Sequence, residues 1–553
     1  MFYDLRKYNM TKLKSKNKLF LIISLIGIAT WGCDDMLDVK SDRFQKTDEY
    51  TLNASNEGIY AMSGIFNQLQ KVAERYVILG ELRGDLMDVT PDASVYLKEI
   101  NNFEITPDNP YDNLKDYYSI INNCNYLIRR IDTSAISDGI KAMYQEYAAT
   151  KAIRAWTYMQ IALNYGTAVY YEDPILSIDD ASKDYPKYNI TELANVLIPD
   201  LLPWKDTEMP GFGQIGELNS SLFYIPIRFI LGELYLWSGQ YESAANEYHD
   251  LIVKEKIRSF GHVISWKVVN GEFLYTQSTT YSDEILSEIG TTSEHGEGSN
   301  LKGLSGVTGE NYLTILGKNS IKPSDYAISY WDTQIYYDSD TANKTEGDLR
   351  GRSWSYYSLG PSDDGKSSPG YDNYIYKYYY NNDGYDYSEV IPTCNSALVY
   401  LRYAEAVNRL GKPNLAFAVL KNGLNKITLN NRSLIPAVEV PSPKPNYMNF
   451  DTVQFDLNIG IHARGCGHVE KTTEYAIPSL SSKDDSILYV EDQIKLELAL
   501  ETAFDGNRFH DLMRFAIRRN DPSYLANTVA EKYTDNKEVI RSKLMDMNNW
   551  YLP

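Results

Sequence analysis

The chain is short of cysteine, of basic charge and of long apolar runs, and each shortage removes a class of protein. Only 4 cysteines occur in 553 residues, too few for a disulfide framework, and their wide spacing gives no CxxC metal signature. Lys and Arg number 54 against 74 Asp and Glu, a net charge of −20. Nucleic-acid affinity comes largely from basic side chains neutralising phosphates, so no nucleic-acid partner is expected. No GxSxG or HExxH pattern occurs, which removes the common hydrolase and metalloprotease signatures. After the first 32 residues no stretch approaches the ~20 apolar residues that cross a bilayer. What the chain has in plenty is tyrosine, 47 of them beside 8 Trp and 16 Phe. Tyrosine joins a stiff apolar ring to a hydrogen-bonding tip and suits wet recognition surfaces. With 43% hydrophobic and 23% charged residues the chain is globular, not disordered. Its length implies several cores or one large fused helical body.

The N-terminus reads as a targeting segment. Arg6, Lys7, Lys12, Lys14, Lys16 and Lys18 precede an apolar run from Leu19 to Ala29, followed by Thr30-Trp31-Gly32-Cys33. A basic region, a short apolar region and a small residue before the cut form a secretory signal. Gly32-Cys33 resembles a bacterial lipoprotein box, in which Cys33 receives lipid and becomes the first mature residue; ordinary signal cleavage with Cys33 a plain thiol is the alternative. Without residues 1–32 the chain carries 48 basic and 73 acidic residues, a net charge of −25. Asp34, Asp35 and Asp38 make residues 33–50 an acidic tether. Cys124, Cys394 and Cys466 are then expected as buried thiols, with one disulfide at most.

The body reads as helix pairs. Residues 224–252 place Leu231-Gly232, Tyr235, Ala244 and Tyr248 at the interlocking offsets of a tetratricopeptide unit, with Gly239 at the turn. Residues 397–424 repeat the phase with Tyr403-Ala404, Ala416 and Leu420, and Gly411 at the turn. Residues 143–165 keep an apolar face up to Gly166, and Leu496, Leu500 and Phe504 form a stripe near the C-terminus. By contrast, residues 265–395 are rich in Gly, Ser, Asp and Tyr and poor in helical period. They predict long loops with short strands on a helical scaffold of 51–264 and 396–553. The fold class is thus mainly α, with tetratricopeptide-like pairs and an irregular, loop-rich lobe. Function is expected in that lobe.

Three blocks stand out together: IRAWTYMQIALNYGTAV (153–169), LRYAEAVNRLGKPNLAFAVLKNGLN (401–425) and VEDQIKLELALETAFDGNRFHDLMRF (490–515). They resemble the SusD/RagB family, the outer-membrane nutrient-binding lipoproteins of Bacteroidetes. CDDMLDVKSD (33–42) looks like the family's mature start, and GIHARGCGHV (460–469) resembles its Arg-Gly block. Tyr170 stands where the family usually has proline. The resemblance implies a lipoprotein anchored in the outer membrane through Cys33, facing outward. It also implies a SusC-like, TonB-dependent barrel as partner, with ligand trapped between the two. SusD-like members serve glycans and the RagB branch serves peptides, and the tyrosine load fits both.

Other chemistry competes with this reading at a few positions. Glu497, Glu501 and Asp505 could form an acid/base set, but beside Arg508, Asp511 and Arg514 ion pairing between helices is the expected role. A surface glycoside hydrolase and a pure scaffold are the rival classes. His462, Cys466 and His468 lack zinc-site spacing and read as a structural turn. The acidic loops 338–340 and 381–386 could hold a calcium ion but do not follow EF-hand spacing; structural calcium is therefore not indicated, and no cofactor is expected. For the ligand face, Trp331, Trp354, Tyr371, Tyr374, Tyr376 and Tyr96 lie in loop-like segments among polar residues. Aromatic rings there suit the C–H faces of sugars; the alternative is that they fill the lobe's own small core.

Overall fold

Helices form in this chain where apolar residues recur every three or four positions and a capping side chain stands at the start. The computed structural model describes Leu52 and residues 57–553, apart from 138, 216–217, 258–264, 270–271, 277–284, 293–298, 307–318, 338–343, 352–354, 360–371, 379–387, 457 and 467–474. Asn53–Pro553 form a single unit. Its first long helix, α1 (Gly58–Glu81), buries Met62, Ile65, Leu69, Val72 and Tyr76. In α2 (Leu114–Arg130) the Asn113 side chain caps the start by accepting the Lys115 N–H. Helix α3 (Tyr144–Tyr165) is buried on all sides from Ala148 to Asn164, as befits a helix enclosed by others. Helix α4 (Ile190–Leu201) opens on a capping box, in which Asn189 and Glu192 each satisfy the other's backbone N–H.

The two repeats are true helix pairs. The first is α5 (Ile227–Trp237) with α6 (Tyr241–Lys254). Gly239 turns between them at φ 77°, a conformation that suits glycine. Gly232 allows the approach, since a Cβ there would lie 2.5 Å from the Tyr248 ring. One eight-residue helix, α7 (Asp325–Asp332), lies in the loop-rich segment. The second pair is α8 (Ser396–Arg409) with α9 (Pro413–Lys421), turning at Gly411, φ 75°. The C-terminal part adds α10 (Lys483–Glu501), α11 (Arg508–Arg519) and α12 (Pro522–Ala530). Packing runs in sequence, α2 on α3, α3 on α4, α4 on α5 and α5 on α6, then α6 on α8, and α8 on both α9 and α10. The mainly helical scaffold with tetratricopeptide-like pairs is therefore as the spacing implied.

Short antiparallel strand pairs decorate this scaffold. β1 (Met87–Val89) pairs with β3 (Ile321–Pro323), and β2 (Ile285–Thr292) with β8 (Ser388–Asn395). Within the loop-rich segment β4 (Ile335–Tyr337) pairs with β5 (Lys344–Glu346), and β6 (Tyr356–Leu359) with β7 (Asp372–Ile375). Cys124, Cys394 and Cys466 are buried. Among the described residues no helix is long and apolar enough to cross a membrane, and no group of three His, Cys, Asp or Glu is placed to hold a metal ion.

Candidate functional site

The lobe is fixed to the scaffold by the C-terminal motif, and the fixing begins with charge. Arg508 makes two bonds to Asp85, at 2.6 and 2.8 Å. Arg402 pairs with Asp511 at 2.7 Å, and Arg514 grips Glu405 at 2.8 and 2.7 Å. Glu81 accepts the backbone N–H groups of Phe504, Gly506 and Arg508. Asp85 also anchors the lobe, since its carbonyl accepts the Ser324 hydroxyl at 2.5 Å, and Ser324 caps α7. A short helix, Val95–Asn101, packs on β1; β1 pairs with β3, and β3 packs against β7. These contacts join Tyr96, Tyr374 and Tyr376 through one small run of strands.

The six aromatic residues expected at the ligand face divide once placed on this frame, and Trp331 is corrected from loop to core. It lies in α7, is 1% exposed, and donates its indole N–H to the Leu500 carbonyl at 3.4 Å. Its ring packs on Tyr356 and Phe504. The helix went unread because eight residues give barely two turns of periodicity, too few for a clear stripe. Tyr374 is 7% exposed and stands opposite Tyr357 in the β6–β7 pair, so it too is interior and not a loop residue. Tyr376 is half-buried just beyond β7. Tyr96 sits on the Val95–Asn101 helix, not in a loop, and is 38% exposed beside a more exposed Val95. Trp354 and Tyr371 lie outside the described residues. We expect Trp331→Ala to cost about 3–5 kcal/mol of stability, as truncation of a buried aromatic does, while Tyr96→Ala leaves the unfolding midpoint in place; urea denaturation of both variants checks this.

Two features were missed from sequence. Tyr326 and Tyr330 stand one turn apart on α7, their rings 4.9 Å apart, and both are half-buried above Asp85 and Arg508. Burial, then the Asp85 charge, pushes the Tyr330 phenol up. The i, i+4 spacing of these tyrosines was the available signal. The second is a buried ion network around Arg350. This guanidinium binds Asp348 at 2.6 Å, Glu497 at 2.8 Å and Glu501 at 3.0 Å. Arg464 adds a bond to Glu501 at 2.7 Å, and His462 one to Glu497 at 2.6 Å. Burial raises the Glu497 and Glu501 carboxyls, but Arg350 with His462 and Arg464 outweighs it and holds both below the usual carboxylate range. The Glu497–Glu501 pair thus binds the lobe and the His462–Cys466 turn to α10, and its partners are not the arginines of α11. His468 lies outside the described residues.

Where the three sequence blocks meet, a cavity of about 30 Å³ is lined by Gln160, Glu233, Arg402, Asn507 and Asp511 among others. It has room for a water molecule or two, not for a sugar ring.

Comparison with known proteins agrees with this architecture. Residues 326–553 match the model of the SusD family. In fold the chain is similar to a SusD homolog from Bacteroides thetaiotaomicron VPI-5482, at 15% identity and a TM-score of 0.56, over 91% of this chain and 95% of that one. It is also similar to surface glycan-binding protein A from Bacteroides fluxus, at 15% identity and TM-score 0.54, over 87% and 94% of the two chains. A laminarin binding SusD-like protein matches at 14% identity and TM-score 0.51, over 88% and 95%. No curated protein matches by sequence. The SusD/RagB resemblance is thus carried by the family model over residues 326–553, and over most of the chain the likeness is one of fold.

Proposed function

We propose that this protein is an outward-facing outer-membrane lipoprotein that binds oligosaccharide or polysaccharide and passes it to a SusC-like, TonB-dependent transporter. The carrying observation is the match of residues 326–553 to the SusD family. Solved structures of the same fold that are named for laminarin or surface-glycan binding support it. At the lobe, Tyr96 is exposed and Tyr326, Tyr330 and Tyr376 are half-buried, offering ring faces for sugar C–H groups with phenols for hydroxyls. The role is binding without catalysis, because Glu497 and Glu501 are locked in ion pairs and are unsuited to flank a scissile bond. A glycan array followed by calorimetry tests the reading. We expect a saturable glycan ligand and no new reducing ends. Peptide binding in its place would assign the protein to a RagB-like system, and no ligand of either kind would leave a scaffold.

With the ligand in hand, Tyr96→Ala should weaken binding by about 2 kcal/mol, roughly 30-fold, with unchanged melting. The anchor is tested separately. Cys33→Ser should move the protein from the membrane fraction to the soluble one, because lipid on Cys33 is the proposed attachment; retention at the membrane would refute the anchor.

A further inference from the structure

The ribbon of β2 and β8 contains an acid that no donor answers. Glu288 is 2% exposed, and neither carboxyl oxygen has a hydrogen-bond partner. Its cross-strand neighbour is Pro392, which has no N–H to give. The pairing slips between Ser287 and Glu288, and the Thr393 hydroxyl bonds Ser287 at 2.7 Å without reaching the acid. A buried carboxylate without donors is costly, and such a group takes up a proton instead.

The packed elements supply no counter-charge. β2 has no other charged residue, and on β8 Glu389 stands opposite Thr291 and Cys394 opposite Ser287. The turn Ser220–Phe223, which packs on β2, carries no titratable side chain. On α1, also packed on β2, Glu74 is held by Tyr111 and the Asn300 N–H, Arg75 by Asp116, and Tyr76 by Asn507. Glu81 takes the backbone N–H groups named above, while Tyr60 and Lys71 are exposed. Helix α8 packs on β8, and its charges are also spent: Arg402 on Glu233 and Asp511, Glu405 on Arg514, Arg409 on Glu491. Its Tyr400 and Tyr403 phenols donate to the Ile257 and Tyr447 carbonyls. Burial alone pushes the Glu288 carboxyl up, to about 7.

We propose that Glu288 is a pH-sensitive latch of this ribbon: protonated, it lets β2 and β8 close over it, and its ionisation opens them. The two strands bracket residues 293–387, so the latch sets how firmly the base of the loop-rich segment is held. A carboxyl raised in the closed state favours closure fully below its ordinary value. That advantage shrinks as pH rises towards the closed-state value and is gone above it. The opening constant therefore climbs by up to about tenfold per pH unit, roughly 300-fold in all, and then levels off.

Hydrogen exchange of the full chain, read by mass spectrometry from pH 5 to 8 and corrected for intrinsic rates, tests this. Peptides within 285–292 and 388–395 should lose protection along that curve, while α8 keeps its own. Glu288→Gln, isosteric and neutral, should remove the slope, and Glu288→Leu serves if the Gln variant does not fold. A flat wild-type profile overturns the proposal, and so does an unchanged slope in the neutral variant.

Discussion

Replacing Gly80 with alanine should destabilise the protein by roughly 3–5 kcal/mol, the range of severe core overpacking. A Cβ at this position would lie 3.0 Å from the Cα of Gly506 and would overlap its carbonyl group. The obstacle is backbone, and it cannot swing aside as a side chain can. The same stretch of chain is held by Glu81, through the N–H groups of Phe504, Gly506 and Arg508, so relief by displacement would break those bonds. Gly64→Ala is the matched control. It lies in the same helix with nothing within 4 Å of the added methyl, and it should be neutral or stabilising by up to about 1 kcal/mol through helix propensity. Denaturant unfolding of the two variants side by side measures the contrast; equal stability would mean that α1 and the C-terminal turn do not touch as described.

Arg350→Leu should cost a comparable ~3–5 kcal/mol, the usual result of stripping one partner from a buried ion group. It removes the guanidinium shared by Asp348, Glu497 and Glu501 and leaves carboxylates with 0%, 0% and 5% exposed side chains. Arg350→Lys should recover little, because a single ammonium cannot reproduce the forked contacts to three acids. The pH dependence has a definite sign. In the wild type the Glu497 and Glu501 carboxyls are depressed; their contribution is present above the unfolded carboxylate range and is lost as pH falls through the folded values. Without Arg350 the two carboxyls lose part of that lowering, Glu497 keeping His462 and Glu501 keeping Arg464, so the variant loses less stability than the wild type on acidification. The two stability curves should converge at low pH, and parallel curves would show that Arg350 does not control these acids.

What could be read from sequence divides by the range of the interaction. Gly232, Tyr248, Gly239 and Gly411 act within single helical hairpins, so fixed spacing exposes them. The blocks at 153–169, 401–425 and 490–515 carry matching residues at fixed offsets, which made the resemblance to the SusD/RagB family legible. The lobe was harder. Trp331 and Tyr374 looked like loop residues because α7 is eight residues long and β7 only four, and neither length supports a period. Arg350 sits in a polar, glycine-rich stretch whose acidic partners Glu497 and Glu501 come 147 and 151 residues later; no local pattern announces such a pairing. Glu288 likewise reads as an ordinary strand glutamate until its neighbours prove unable to donate to it.

The clasp between Glu81 and Gly506, 425 residues apart in sequence, bears on the order of events in synthesis. The first long helix reaches its backbone partners only after nearly all the rest of the chain has been made. Until then its acidic end, Glu81 and Asp85, has neither the N–H groups nor the Arg508 that neutralise it in the finished fold. A chain that closes by joining an early helix to its last motif is slow to lock.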